Sequence, residues 1–132
     1  MKLFFKAKDG GPESKVTGYW LIESKNLFSI VLLRFDKGSR EAYHTHAFNA
    51  ISWVFKGWLL ENTRTTGEDS QKILDFSILP IWTPRERYHR VFGMAATTWA
   101  LSIRGPWKKE WKEFLPKEQK EIKLTNGRVI VE

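Results

Sequence analysis

The chain contains no cysteine, so disulfides are impossible and any metal ion must be held by imidazole or carboxylate rather than thiolate. Histidine is scarce, at three in 132 residues. No apolar run approaches the roughly eighteen residues that a membrane-spanning helix needs. The first residues, Met1 to Gly10, carry only a short apolar stretch broken by Lys6 and Lys8, without the apolar segment of a secretory signal. These absences lead us to expect a cytoplasmic protein with no membrane partner. A chain of 132 residues has enough length for one core and too little for two, so residues 1–132 are expected to form a single domain.

Aromatic residues, by contrast, are abundant: seven Trp, nine Phe and three Tyr. Such a load suits a small β-rich fold whose core is filled by few, large side chains. The net charge of +7 raises the question of nucleic acid. The basic residues are scattered, however, and from Lys108 to Lys123 lysines alternate with Glu110, Glu113, Glu118 and Glu121. That pattern reads as a solvated face with local ion pairs, leaving only non-specific binding to nucleic acid at low salt.

Along the chain, residues 1–15 read as irregular, with a turn at Gly10-Gly11-Pro12. Leu27 to Phe35 is a largely buried strand, followed by a turn from Asp36 to Ser39. Strands are expected over Glu41–Ala47 and Asn49–Phe55, then a turn at Lys56-Gly57 and a strand over Trp58–Thr63. A polar loop runs from Arg64 to Ser70 and contains Gly67. Ile73–Leu79 and Arg87–Phe92 are further strands. Thr97–Arg104 alternates with period two, placing Trp99, Leu101 and Ile103 on one face and Thr98, Ala100 and Ser102 on the other. Trp107, Trp111, Phe114 and Leu115 recur at helical spacing, which predicts a short helical segment packed on the sheet. Ile122 to Val131 forms a terminal hairpin about Asn126-Gly127.

His44 and His46 share a parity on a strand, so their rings project from one face. His89 lies after the Pro84 turn at the start of another strand. If that strand pairs beside the first, three neutral imidazoles converge inside the fold and leave coordination positions open.

The pattern Gly38-x5-His44-x-His46-x3-Ala50-x6-Gly57 resembles the first motif of the cupin superfamily, with alanine where that motif has a glutamate ligand. Pro84 and His89 keep the spacing of the second cupin motif, whereas Ile78, Glu86 and Gly93 replace its other members. The resemblance runs from Gly38 to Gly93, and is closer still to small cupins of phages and bacteria. It implies an all-β, single-domain cupin jelly-roll β-barrel that binds a divalent metal through His44, His46 and His89. Fe2+ comes first among the ions considered, with Zn2+, Ni2+ and Mn2+ as alternatives. Ala50 makes the set similar to the thiol-dioxygenase branch of cupins, in which a Cys or small residue takes this place and the substrate chelates the iron. An ion with only neutral ligands keeps its full charge and attracts anionic chelators. Oxygen activation and Lewis-acid hydrolysis or isomerisation both remain open.

Arg34 and Arg104, at strand ends, offer bidentate geometry for a substrate carboxylate, although structural ion pairs are the commoner use of such residues. Ser52 shares the parity of Ala50 and is a candidate for the cavity wall. Tyr43 and Tyr88 neighbour the histidines and should point away from the ion. Glu41 and Glu86 lie near enough in sequence to orient a ligand histidine or act as acid or base, although solvent exposure is the commoner place for such residues. Trp53 and Trp58 suit core packing or a homodimer contact. Three function classes follow: an Fe(II) dioxygenase acting on a small anionic metabolite, a non-oxidative isomerase or epimerase, and a binding or scaffold module engaging nucleic acid or a host protein.

Overall fold

In a computed structural model, which describes residues 1–9, 14–39, 43–65, 68–115, 120–125 and 129–130, every regular element is a strand. They are β1 (Lys2–Lys8), β2 (Val16–Glu23), β3 (Ser29–Ser39), β4 (Ala50–Lys56), β5 (Leu59–Thr65), β6 (Glu68–Leu74), β7 (Ile81–Thr83), β8 (His89–Arg104), β9 (Glu110–Leu115), β10 (Lys120–Thr125) and β11 (Val129–Ile130). Eight form one sheet in the order β1-β2-β3-β8-β4-β7, with β5 joined to β8 and β6 to β5. The other three form the sheet β11-β10-β9. Isolated bridges connect His44 to both His89 and Glu113, so the sheets meet at a histidine. With no helix among the described residues, none is long and apolar enough to cross a membrane.

The all-β expectation holds, but three of its details do not. The strands close no continuous hydrogen-bonded ring among the described residues: the barrel is an open sheet of eight with a sheet of three beside it. The expected helical segment is strand β9. Lys112 spends its amide on Thr45 Oγ1 and its carbonyl on the Thr45 amide, both at 2.9 Å, and β10 pairs along the whole of β9. Backbone partners thus override a spacing that local sequence alone assigned to a helix. The amino-terminal residues are not irregular either, since β1 pairs with β2 over most of its length.

Boundaries shift as well. The Asp36–Ser39 turn is the end of β3, where a register shift opposite β8 and Gly38 at φ 123° make a bulge. Among the described residues of the segment Glu41–Ala47, only His44 makes a strand-like bridge, and Glu41 itself lies outside them. The polar loop after Thr63 is largely the β5–β6 hairpin, with Gly67 outside the described residues. Past Leu74 the expected strand dissolves into an exposed stretch in which Phe76, Ile78 and Leu79 face solvent. The terminal hairpin pairs Leu124 with Ile130, and its Asn126-Gly127 turn, like that at Gly10-Gly11-Pro12, lies outside the described residues. The Lys56-Gly57 turn is present, at φ 77°, and a side chain on Gly57 would meet Thr98 Oγ1 at 2.5 Å.

β8 organises the molecule. Its first residues pair with β5, and its last pair with β3 on one edge and β4 on the other. Thr98, Ala100, Ser102 and Arg104 point inward and are buried, while Trp99, Leu101 and Ile103 lie half-buried on the outer face. The small side chains are therefore the inner ones, and their size leaves a cavity. Three apolar clusters surround it: Val16, Trp20, Val31 and Leu33; Val54, Leu59, Leu74 and Ala100; and Ala47, Phe48 and Ala50, against which Trp107 and Trp111 pack.

Candidate metal centre

The backbone brings the histidines together. His44 and His89 exchange both amide hydrogen bonds, His44 N to His89 O at 2.9 Å and His89 N to His44 O at 3.0 Å. Residues so paired project their side chains from the same face. The His46 amide donates to the Arg85 carbonyl, and the Arg85 amide donates to Asn49 Oδ1 at 2.7 Å, which staples the Pro84 turn against the His46 segment. The ring centroids stand 4.8, 5.0 and 4.9 Å apart, a nearly equilateral triangle. His44 and His89 are buried and His46 is half-buried.

The donor atoms suit a cation. His44 Nε2 and His46 Nε2 lie 3.2 Å apart, a spacing that suits either a hydrogen bond from one ring to the other or a shared ion between two lone pairs. At that spacing an ion about 2.1 Å from each nitrogen would see them at roughly 100°, an angle between octahedral and tetrahedral. All three donor atoms lie within 4.8 Å of one another. The widest pair therefore slightly exceeds two bonds of about 2.1 Å, and the rings would draw in on binding.

Glu61 fixes the third ligand. Its buried carboxylate accepts a hydrogen bond from His89 Nδ1 at 2.6 Å and lies 3.6 Å from the Arg87 guanidinium. Burial would raise the Glu61 pKa, but the His89 hydrogen bond and the charges of His89, Arg87 and Lys72 outweigh it and hold the carboxyl below its ordinary value. An ionised carboxylate can only accept, so Nδ1 carries a proton, and in the neutral imidazole the lone pair is then on Nε2. That Nε2 is buried and has no hydrogen-bond partner among the described residues. A carboxylate–imidazole pair aimed in this way is the usual support of a metal-ligating histidine.

Glu61 went unmarked in the sequence because it lies 28 residues from His89. Its one signal was a carboxylate inside an otherwise apolar strand start, Leu59-Leu60-Glu61. Of the two glutamates considered for this role, Glu86 pairs with Arg85 on the surface, as the favoured solvent-exposed reading has it, and Glu41 lies outside the described residues.

The histidines open onto a cavity of about 100 Å³ whose wall includes Val16, Leu33, Phe35, Phe48, Ala50 and Val54. Ser52 belongs to that wall and donates to Ser102 Oγ at 3.3 Å. Arg104 is also there, buried and paired with Asp9. Arg34 is elsewhere: on the outer face of β3 it contacts Tyr19, Thr17 and Asp36 and takes no part in the cavity wall. Tyr43 and Tyr88 pack edge to face at 5.8 Å, also outside that wall. Burial, reinforced by the charges of Glu121 and Glu113 against that of Arg64, pushes the Tyr88 hydroxyl up to about 12. Trp53 is half-buried and Trp58 exposed.

His46 borders a second, outer recess of about 340 Å³ shared with Arg85, Lys108, Lys112 and Lys123 against Glu86 and Glu110.

Solved structures with this architecture are numerous. A sugar phosphate isomerase of the cupin superfamily from Silicibacter pomeroyi aligns over 99% of this chain and 92% of its own, at 11% identity and TM-score 0.63. The fold is that of a cupin. The polyketide cyclase RemF of Streptomyces resistomycificus aligns over 88% of this chain and 83% of its own, at 16% identity and TM-score 0.66. The iron(II) form of HppE shares 11% identity over 76% of this chain at TM-score 0.61, and the chain spans 56% of the HppE chain. No family model matches the sequence, and no curated protein does. Identities this low speak to the fold, and the chemistry must be argued from the site.

Proposed function

We propose that this cupin is a three-histidine metalloenzyme acting on a small molecule, with His44, His46 and His89 as ligands of one divalent ion. The observation that carries this reading is the His89 arrangement: a buried Nε2 lone pair with no hydrogen-bond partner among the described residues, held toward two further imidazoles by an ionised glutamate. A bound divalent ion would supply Lewis acidity and, if it is iron, access to oxygen chemistry. The chain's own residues do the rest. The imidazoles offer three neutral nitrogens, Glu61 holds the His89 tautomer, and Ala50 leaves open the place that a fourth protein ligand would fill. The outer recess, with four cationic side chains against two anionic ones, favours the approach of an anionic headgroup.

An iron(II) dioxygenase is the first form of this reading, supported by the neutral ligand set, which leaves anionic ligation to the substrate. An isomerase or other non-oxidative enzyme is the second, supported by the likeness in fold to an isomerase and a cyclase. Metal analysis of purified protein, followed by oxygen uptake with iron-loaded protein and a panel of small acids and thiols, tests both. Protein that takes up no divalent metal would remove the reading, and metal without oxygen uptake would favour the second form.

A homodimer belongs to the same proposal. The outer face of the large sheet aligns Ile30, Ile103, Ile51 and Trp82 in one row and Leu32, Leu101 and Trp53 in the next. Rows of this kind pack well against a second sheet. Sedimentation of the protein and of a Trp53→Lys variant would test that contact.

A further inference from the structure

Among the described residues of the cavity wall, the carboxylates and guanidinium are those of Asp9, Glu61 and Arg104. Glu61 is engaged by His89 and Arg87. Arg104 is paired with Asp9 through both terminal nitrogens, Nη2 at 2.7 Å from Oδ2 and Nη1 at 3.3 Å from Oδ1, while its buried Nε has no partner among the described residues. That two-pronged geometry is the one a guanidinium offers an incoming carboxylate. Here a carboxylate of the same chain already holds it.

Asp9 is fixed in that position. Its amide donates to the Val16 carbonyl at 2.9 Å, and its carbonyl accepts from Ser14 Oγ at 2.6 Å. Ser14 Oγ in turn accepts from the Val16 amide at 3.1 Å. The guanidinium is equally confined, 4.6 Å above the Phe48 ring and 5.8 Å from that of Trp20. Phe48 stacks on His46 at 5.1 Å, so one aromatic ring lies against both the histidine group and the ion pair.

We propose that Asp9 is a specificity-determining residue: an internal counter-anion that neutralises Arg104 and so reserves the inner cavity for an uncharged, apolar substrate body. A second carboxylate there would set two anions against one guanidinium, among walls of Val16, Leu33, Phe35 and Val54. Burying a charge without a partner of its own is strongly unfavourable. The cavity, at about 100 Å³, is smaller than the hydrocarbon pocket of about 150 Å³ known to hold benzene. It therefore takes a body of only a few carbons. The substrate class is then a chelating headgroup, anionic or neutral, on a short apolar chain that carries no second anionic group. The headgroup rests on the metalloenzyme reading. The selectivity for the body does not.

The test uses metal-free protein, prepared with a chelator, and two probes of nearly equal shape, isobutyramide and isobutyrate. Binding is followed by NMR of the methyl groups of Val16, Leu33 and Ala100. The wild-type chain should bind the amide at least about tenfold more tightly than the carboxylate. Asp9→Asn should reverse that order by leaving Arg104 its charge. A wild-type preference for isobutyrate, or no response of those methyls to either probe, overturns the proposal, as does an unchanged order in Asp9→Asn. The wild-type comparison decides by itself if the variant does not fold. A metal titration of the same sample separates the two readings: failure to bind metal with the amide preference intact would remove the metalloenzyme reading alone.

Discussion

Two charged groups border the same cavity and are built in opposite ways. At one side stand His44, His46, His89 and Glu61: Glu61 and Arg87 support His89 from behind, while His89 Nε2 is buried with no hydrogen-bond partner among the described residues. At the other side Arg104 and Asp9 close on each other through two contacts. Buried polar groups are expected to be satisfied within the chain, so an inward-facing exception invites a ligand, and a closed pair repels one. The difference teaches where chemistry can occur. On the proposed reading the histidine side takes a cation and an anionic headgroup, whereas the charge of Arg104 is matched by that of Asp9.

The comparison is most severely tested at His89. Replacing it with alanine should lower divalent-metal affinity by at least about 100-fold, since one of three ligands is lost. Isothermal titration with Zn2+ or Ni2+, together with circular dichroism to verify folding, measures it. Arg104→Met should cost stability and not metal: about 2 kcal/mol in chemical denaturation, below the cost of splitting a fully buried pair because Asp9 is partly exposed. Equal metal affinity in that variant would support the separation of the two sides, and a large loss would break it.

Glu61→Gln should weaken metal binding about tenfold or somewhat more, because the amide no longer enforces the proton on His89 Nδ1. The smallest effect is expected at Ser52→Ala, which removes one neutral hydrogen bond to Ser102 and should change stability by about 1 kcal/mol or less, with metal affinity unchanged. If Ser52→Ala disturbed metal binding as much as Glu61→Gln, the neutral middle of the cavity would have to be counted with the histidine side.

How much of this was legible beforehand depended on the range of the interaction. The period-two pattern of Thr97–Arg104 gave the two faces of β8 correctly. What it did not give was which face turns inward, because the apolar Trp99, Leu101 and Ile103 look like the core and are in fact half-buried outside. The same limit explains the strand at Glu110–Leu115, whose aromatic spacing fits a helix until Thr45 and β10 claim its backbone. Arg104 was readable as a candidate for substrate recognition; its partner, 95 residues earlier in the chain, was not.

The sequence by itself determined an all-β chain without thiolates, with three imidazoles as its natural metal donors and alanine where a carboxylate ligand would be expected. Those conclusions follow from residue types and spacings, which are local. Only the tertiary structure decided that His44 and His89 exchange backbone hydrogen bonds, that Glu61 stands behind His89 and that Asp9 pairs with Arg104. Each of these pairs is made by strands distant in the chain, and no local propensity specifies which strand will lie beside which.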